Sequence, residues 1–476
     1  MSSGKLPNIL LIHSDQHRYD CVGAHGLRAD VATPNLDRLA AGGTRFDHAF
    51  STIPICTPAR ASLLTGALPT THGSFCIPSS ELNRAARPEL PRLTDLLAEK
   101  GYRNAWTGKF HGETEHPPGP GTGVEEYASL WNGYHDFRKA QGLKPVPKPN
   151  GLFGNVDVSE ATTETNALGW QADQIVRQIR ERKDGPFFVR WDPPEPHLPC
   201  NPSPEFAECF AGADIPPWTS FPDTMEGKPA AQKRLRQIWG TGDWPWETWL
   251  RTVRLYYAII AEMDHHIGRV LDELDELGLA EDTLVIYSSD HGDFCGGHGL
   301  MDKHYGMYDD IVRVPLILRL PGRVAAGALC PAFSSSSIDI ARTILAAAEA
   351  EVPDSFVGRD LVALAREPGR LGRDYAFAQY FGAEGGAYSC RMLRDRRHKF
   401  VYHPVGDRHE FYDLETDPGE LHNRIDDPDL AERIRRFKSD LFDTMKAEGD
   451  PLANRWTEIE LKGAPSIAEA AFAESG

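Results

Sequence analysis

The chain has 476 residues, of which 41% are hydrophobic and 25% charged, and its formal net charge is −18. These proportions are ordinary for a globular enzyme with a large core. The excess of acidic residues would repel a phosphate backbone, so we expect no nucleic-acid partner.

The chain contains no apolar run as long as a membrane span, and its first residues lack the long apolar stretch of a signal peptide. We therefore expect a cytoplasmic protein with no membrane association. The eight cysteines are scattered and form no CxxC pair, so neither a zinc knuckle nor a disulfide framework is indicated. The number of subunits is not predicted.

Short apolar runs alternate with helical patterns over the first two-thirds of the chain, which predicts an α/β fold with a mostly parallel sheet. Several runs are almost wholly apolar, as expected of strands that are buried on both faces. The predicted strands are Asn8–His13, Arg103–Thr107, Phe187–Trp191, Thr283–Ser288 and Val314–Leu320.

Two helices of this region have clear sequence signals. Thr33 and Pro34 resemble an N-cap and a first helical residue, and the pair Gly42 and Gly43 would end that helix. A longer helix is predicted from an apolar stripe that runs from Ile259 to Leu274.

The segment 198–250 contains five of the ten tryptophans among many prolines. One interpretation is a hydrophobic cluster beneath a long insertion, and the other is a lid or wall that stacks on a substrate ring.

The pattern changes toward the C-terminus. A helix over Ser337–Ala348 is predicted to end the large domain, and Arg391–Tyr402 and Glu410–Leu414 are typical of antiparallel strands. A helix over Leu430–Met445 and a weakly structured tail follow. We therefore predict a catalytic domain over residues 1–372 and a C-terminal subdomain with an antiparallel sheet and a helix over residues 373–476.

Polar residues follow four of the predicted buried strands. They are Asp15 and Gln16, Lys109 and His111, His197, and Asp290 and His291. Each alone has an ordinary structural interpretation, such as a helix cap or a solvated side chain. Sites in open parallel sheets form at the carboxyl ends of strands, so the topology would bring all four segments to one edge.

A fifth segment begins at Cys56 and reads Cys-Thr-Pro-Ala-Arg. Pro58 suits the first turn of a helix and Gly66 suits its end, which puts residue 56 at the positive end of a helix dipole. A cysteine there would ionise readily, although a buried inert thiol is the alternative.

The pattern from Cys56 to Arg60, followed by Thr65-Gly66, resembles the signature of the sulfatase family. The segments Thr33–Ala40, Gly108–His111, Asp290–Lys303 and Tyr412–Pro418 also resemble motifs of that family. The resemblance implies an alkaline-phosphatase-like α/β fold, in which a large mixed, mostly parallel sheet is flanked by helices and followed by a smaller C-terminal α+β subdomain.

The resemblance also implies that a formylglycine-generating enzyme oxidises Cys56 to formylglycine. It assigns Asp15, Gln16, residue 56, Asp290 and His291 to one divalent metal ion. Many sulfatases have Asp at the position of Gln16 and Asn at that of His291. Oxygen ligands suit Ca²⁺ and an imidazole favours Mn²⁺ or another transition metal, so either ion fits this set.

A mechanism follows from this set. We expect one hydroxyl of the hydrated aldehyde, ionised by the metal and Arg60, to attack sulfur, while Lys109 and Lys303 neutralise the sulfuryl oxygens. His197 would protonate the departing alcohol. His111 would then take a proton from the second hydroxyl, so that sulfate leaves and the aldehyde is regenerated.

Sulfate-ester hydrolysis is thus the predicted activity, with a small-molecule or saccharide sulfate ester as substrate. Hydrolysis of phosphonate monoesters or phosphodiesters by the same site is the closest alternative, because relatives with that activity also pair Gln with Asp-His. A catalytically inactive binding protein and a zinc hydrolase are further alternatives, but the intact residue set and the absence of an HExxH motif argue against them. The sequence does not identify the alcohol that is released.

Overall fold

Within the computed structural model, the described residues are 6–28, 30–80, 84–146, 153, 156–383, 386–404 and 406–474. Their strands form one eight-stranded and one four-stranded sheet. The strands are β1 (Asn8–Ser14), β2 (Thr44–Phe50), β3 (Arg103–Gly108), β4 (Glu126–Ser129), β5 (Phe187–Asp192), β6 (Thr283–Ser289), β7 (Leu316–Arg319), β8 (Ala328–Ser335), β9 (Ala376–Ala383), β10 (Gly386–Arg394), β11 (His398–Tyr402) and β12 (Glu410–Asp413).

Helices follow most strands of the larger sheet, and three more follow the last strand of the smaller one. They are α1 (Pro34–Ala41), α2 (Cys56–Thr65), α3 (Pro69–His72), α4 (Leu93–Glu99), α5 (His135–Ala140), α6 (Ala167–Arg182), α7 (Pro204–Phe210), α8 (Ala230–Trp239), α9 (Trp246–Glu276), α10 (Asp309–Val312), α11 (Ser336–Ala347), α12 (Leu361–Arg366), α13 (Pro368–Leu371), α14 (Ala431–Ala447), α15 (Arg455–Lys462) and α16 (Ile467–Glu474). Among the described residues, no helix has the length and apolar character that crossing a membrane requires.

The larger sheet has the strand order β4-β3-β5-β1-β6-β7-β2-β8. Strand β7 runs antiparallel to its neighbours β6 and β2, and the other pairs are parallel. The predicted α/β fold with a large mixed, mostly parallel sheet is therefore confirmed. The predicted strand Val314–Leu320 is the antiparallel member, which its apolar composition could not reveal.

The central strand β1 is buried on both faces, as its composition predicts. Leu10 and Ile12 belong to the hydrophobic core that contains α1, α6 and α9, whereas Ile9 and Leu11 face the core that contains α4 and α11. Successive side chains of a strand point to opposite faces, so one apolar run serves both helical layers.

The tryptophan-rich segment is part of the first of these cores. Trp218, Trp246 and Trp249 are buried, and Trp239 and Trp244 pack against the same cluster. The Phe153 ring lies 5.7 Å from that of Trp249, centroid to centroid, in a stacked arrangement. The packing thus favours the hydrophobic-cluster interpretation of this segment over a wall that stacks on substrate.

The smaller sheet has the antiparallel order β12-β11-β10-β9, and α14 packs on it. Two details of the sequence prediction were wrong. The run Arg391–Tyr402 is a hairpin of β10 and β11 rather than one strand, and the predicted weakly structured tail contains α15 and α16. The division into domains at residue 372 stays a prediction.

Candidate active site and metal centre

Cys56 is the first residue of α2, where the chain changes from extended to helical backbone. Ile55 before it is extended, Pro58 lies in the first turn, and Gly66 ends the helix with a φ of 63°. Every residue of α2 is buried. The helix follows β2, so residue 56 lies with the positive end of the helix dipole at the carboxyl edge of the sheet.

Four side chains meet at that edge. Asp15 follows β1, Asp290 and His291 follow β6, and the ligand atoms of these three residues and of Cys56 lie within 4.8 Å of one another. The Cys56 Sγ atom is 3.1 Å from His291 Nε2 and 3.6 Å from Asp15 Oδ1. All four residues are fully buried.

The chemistry of this donor set fits a divalent cation. His291 Nδ1 is 2.8 Å from the carbonyl oxygen of Gly292, which can only accept, so Nδ1 carries a hydrogen and Nε2 is the ring nitrogen that faces Cys56. Burial would lower the pKa of His291, but Asp290 and Cys56 raise it to about 9. Two carboxylates and an imidazole in one buried cluster form a site that a metal ion would neutralise.

The side chain of Gln16, the remaining predicted ligand, is hydrogen-bonded to two residues outside this group of four. Its amide nitrogen donates to Asp293, its amide oxygen accepts from Lys303 Nζ at 2.8 Å, and its backbone N–H donates to Asp290 Oδ1 at 3.1 Å. Its φ is 67°, an uncommon value outside glycine. The assignment of Gln16 as a metal ligand stays a prediction.

Arg60 lies one helical turn after Cys56 and contacts three carboxylates. Its nitrogens are 3.1 Å from Asp15, 2.9 Å from Asp192 and 2.9 Å from Asp290. Burial alone would lower the pKa of Arg60, but these carboxylates raise it, so the guanidinium stays charged. Arg60 thus orients the carboxylates of the cluster.

Two lysines flank residue 56. Lys109 follows β3 and donates to Asp15, and Lys303 lies on the loop after β6. Burial of the Cys56 thiol would raise its pKa, but Lys109, Lys303 and His291 outweigh that effect and hold the pKa well below its usual value. The positive field at residue 56 is what an anionic ester group requires.

His111 is held from two sides. Its backbone N–H donates to Glu113 Oε2 at 2.8 Å, and the Thr57 hydroxyl oxygen is 3.1 Å from its Nδ1 and 2.9 Å from its carbonyl oxygen. Burial and Lys109 lower the pKa of His111, which favours the neutral ring that a base requires.

His197 is linked to the same centre through Lys303. Its Nε2 is 2.8 Å from Lys303 Nζ, and its Nδ1 is 2.7 Å from the carbonyl oxygen of Leu198. Asp302 accepts from Lys303 Nζ at 2.9 Å. The structure therefore brings every predicted site residue into one connected cluster.

Several residues of this cluster were missed by the sequence prediction. Asp192 ends β5 and anchors Arg60, and the rule that polar residues follow buried strands could have found it. Thr57, Glu113 and Asp302 lie beside predicted residues, but no pattern in the sequence distinguishes them. Their importance follows from side-chain contacts alone.

Comparison with known families gives two matches. A model described as Sulfatase matches residues 7–350, and one described as N-sulphoglucosamine sulphohydrolase, C-terminal, matches residues 296–447. The first covers well over half of the chain.

Individual proteins resemble the chain over most of its length. An arylsulfatase of Clostridium perfringens is 28% identical over 90% of this chain and 92% of its own, and an N-acetylglucosamine-6-O-sulfatase of Bacteroides thetaiotaomicron is 26% identical over 96% and 90%. The crystal structure of a phosphonate monoester hydrolase of Agrobacterium radiobacter superposes with a TM-score of 0.78 and 25% identity, covering 93% of this chain and 96% of that one.

Proposed function

The chain belongs to the sulfatase family and is an enzyme of that family, and we propose that it hydrolyses a sulfate monoester to an alcohol and sulfate at residue 56. The observation that carries the proposal is the position of Cys56. It begins a buried helix, and it lies within one cluster of two carboxylates, an imidazole and two lysines.

The nucleophile in this proposal is a formylglycine that a formylglycine-generating enzyme makes from Cys56. Asp15, Asp290, His291 and residue 56 would hold one divalent ion, Ca²⁺ or Mn²⁺, with Gln16 as a further candidate. The hydrated aldehyde supplies two hydroxyls on one carbon, and the metal supplies Lewis-acid charge at the sulfuryl oxygens. Elemental analysis of the purified protein, repeated on Asp290→Asn, tests the metal assignment.

The remaining side chains supply charge and move protons. Lys109 and Lys303 stay cationic. Burial is the largest single effect and lowers their pKa values, but the anionic groups around each lysine, led by Asp15 for Lys109 and Asp302 for Lys303, together raise these values above the usual one. They would neutralise the oxygens of the ester group as charge develops there. Arg60 would hold Asp15 and Asp290 in place.

The two histidines would act in different steps. Lys303 donates to His197 Nε2 in the resting protein. Once an ester oxygen accepts from Lys303 instead, Nε2 of the partly exposed His197 can take up a proton from solvent and then donate it to the departing alcohol oxygen. His111 would accept the proton that residue 56 gives up when sulfate leaves.

The substrate class is an aryl or saccharide sulfate ester. The names of two relatives, an arylsulfatase and an N-acetylglucosamine-6-O-sulfatase, support this class. The buried site fits the ester group and leaves the alcohol to be recognised by neighbouring segments, so the alcohol itself is not assigned.

Phosphonate monoester hydrolysis is the second candidate. The likeness to the Agrobacterium radiobacter enzyme supports it. So does the occurrence of Gln16 and His291 together at the predicted metal centre. Sulfuryl and phosphonyl groups have similar size and geometry, so one site can accept both.

A paired steady-state assay distinguishes these activities. The protein is co-expressed with a formylglycine-generating enzyme and given an aryl sulfate and a phenyl phosphonate monoester, with Cys56→Ala as control. A higher kcat/KM for the sulfate that disappears in the control supports the proposal. A preference for the phosphonate replaces it with the second candidate, and turnover by Cys56→Ala rejects residue 56 as the nucleophile.

A further inference from the structure

The hydroxyl of Thr57 contacts two atoms of His111 at once. Its oxygen is 2.9 Å from the His111 carbonyl oxygen and 3.1 Å from His111 Nδ1. Thr57 is fully buried, so water does not compete for these contacts. Both distances are within the range of ordinary hydrogen bonds.

Counting hydrogens determines which nitrogen of His111 is protonated. A carbonyl oxygen only accepts, so the single hydrogen of the hydroxyl is donated to it. The contact with Nδ1 is then a hydrogen bond only if Nδ1 carries the ring proton and donates to the hydroxyl oxygen. A neutral imidazole has one such proton, so Nε2 presents a lone pair.

We propose that Thr57 is a positioning residue that fixes His111 in the Nδ1–H tautomer and so makes Nε2 the base of the sulfate-release step. The inference rests on the proposed role of His111. In that step the second hydroxyl of residue 56 loses its proton to Nε2, the carbon–oxygen double bond forms, and the bond to the sulfate oxygen breaks with its electron pair. In the opposite tautomer Nε2 already bears a hydrogen and cannot accept the proton.

A second contact distinguishes selection of the tautomer from support of the His111 backbone. Glu113 is fully buried and accepts the backbone N–H of His111 at 2.8 Å, independently of Thr57. The backbone of His111 therefore keeps an anchor when the hydroxyl is removed. What is lost is the acceptor that selects the tautomer, together with the hydrogen bond from the hydroxyl to the His111 carbonyl oxygen.

Thr57→Val removes the hydroxyl at nearly constant shape, and Thr57→Ser retains it. The aldehyde content of each variant is measured by peptide mass spectrometry, and rates with an aryl sulfate are normalised to it. In Thr57→Val we expect a first burst of one phenol per aldehyde, followed by turnover about 5- to 10-fold slower than wild type, the factor of one lost orienting hydrogen bond. Thr57→Ser should stay within about twofold of wild type.

Several outcomes overturn the inference. They are an unchanged kcat in Thr57→Val, a smaller burst that falls together with kcat, or a Thr57→Ser variant as slow as Thr57→Val. A wild-type protein that hydrolyses neither ester rejects the proposed function itself, and the inference with it.

The tautomer can also be read without turnover. In a ¹⁵N-histidine-labelled protein, the His111 signals are identified by their loss in His111→Gln. We expect a protonated Nδ1 and an unprotonated Nε2 in wild type and in Thr57→Ser, and a shift toward the other tautomer in Thr57→Val. A protonated Nε2 in neutral wild type overturns the inference even if the enzyme is an active sulfatase.

Discussion

The guanidinium of Arg60 is surrounded by the carboxylates of Asp15, Asp192 and Asp290, and all four side chains are fully buried. Its planar fork of five donors reaches the three carboxylates at once, which a compact ammonium group cannot do. Arg190 also contacts Asp192, at 2.5 Å, so a second cation stabilises the carboxylate that pairs with Arg60. The two guanidinium groups offset part of the negative charge of the three buried carboxylates, and carboxylate oxygens remain available to a metal ion.

Arg60→Lys should therefore lower both stability and activity. We expect the free energy of unfolding to fall by about 3 kcal/mol, because carboxylates lose their partner in a buried network. Chemical denaturation measures this change. Arg38→Lys is the matched control, because Arg38 pairs with Asp272 on the surface at 2.7 Å and should cost less than about 1 kcal/mol. Equal effects of the two variants would contradict the role given to Arg60.

Cys56→Ser tests the need for two hydroxyls at residue 56. A serine hydroxyl beside Lys109, Lys303 and the predicted metal ligands can still attack sulfur. It has no second hydroxyl through which to expel sulfate. We expect the variant to accumulate one covalent sulfate on the peptide that contains Ser at position 56, which mass spectrometry detects. Rapid multiple turnover by this variant would refute the formylglycine scheme.

The sequence predicted the site in outline, because the residues that follow buried strands converge in any open parallel sheet. Asp15, Lys109 and Asp290 were found in this way. The contacts of Thr57 and Glu113 with His111 could not be predicted, because they depend on side-chain positions that no spacing in the sequence encodes.

At the scale of elements, the start of α1 shows how a remote residue can replace a local signal. Thr33 was predicted as the N-cap, but its side chain makes no capping hydrogen bond to the helix. Asp264, in the middle of α9, accepts the backbone N–H groups of Asn35 at 3.0 Å and Leu36 at 2.8 Å. Burial raises the pKa of Asp264 to about 6, against the hydrogen bonds that lower it.

Asp264→Ala should therefore weaken the contact between α1 and α9. It leaves the N–H groups of half-buried Asn35 and buried Leu36 without an acceptor, and we expect a loss of about 2 kcal/mol in the free energy of unfolding at neutral pH. Asp272→Ala is the control, because Asp272 lies on the same helix but is 59% exposed in its ion pair. It should cost less than about 1 kcal/mol. Similar costs for both variants would show that Asp264 does not cap α1.

Helices and strands were predicted well where burial imposes a regular spacing of apolar residues. They were predicted poorly where contacts between segments distant in the sequence determine the structure. The apolar runs of β1, β3, β5 and β6 gave strands that agree with the structure to within one residue at each end. The hairpin of β10 and β11 was read as one strand, because its turn at residues 395–397 lacks the glycine or proline that usually marks a turn. The tail helices α15 and α16 were also missed, although Asn454 and Gly463 cap α15.

At the scale of the whole molecule, the two sheets share a hydrophobic core. Ile53 and Ile55, which precede residue 56, belong to the same buried cluster as Ala378, Tyr380 and Met392 of the smaller sheet. This contact lies immediately beside Cys56, the proposed nucleophile.

Ion pairs reinforce the shared core. Buried Lys399 of β11 is 2.7 Å from Asp309 and 2.7 Å from Glu420, and Arg394 of β10 is 3.0 Å from Asp309. Asp309 begins α10, shortly after Lys303 in the chain. The smaller sheet thus compensates a buried charge that lies shortly after Lys303 in the chain.

A chain that ends after residue 372 should therefore not fold by itself, although the sequence predicts a domain boundary there. It would expose the apolar cluster around Ile53 and Ile55 and leave Asp309 without Lys399 and Arg394, and breaking a buried pair of this kind costs about 3–5 kcal/mol. Soluble yield and calorimetry measure the outcome. We expect an aggregated fragment, and one cooperative transition for the full chain. A chain that ends at Ser466 is the control and should remain folded and active, because it loses α16, whose first residues, Ile467 to Glu469, are exposed. A soluble 1–372 fragment with its own cooperative transition would show that the catalytic domain is independent and that the shared core contributes little to its stability.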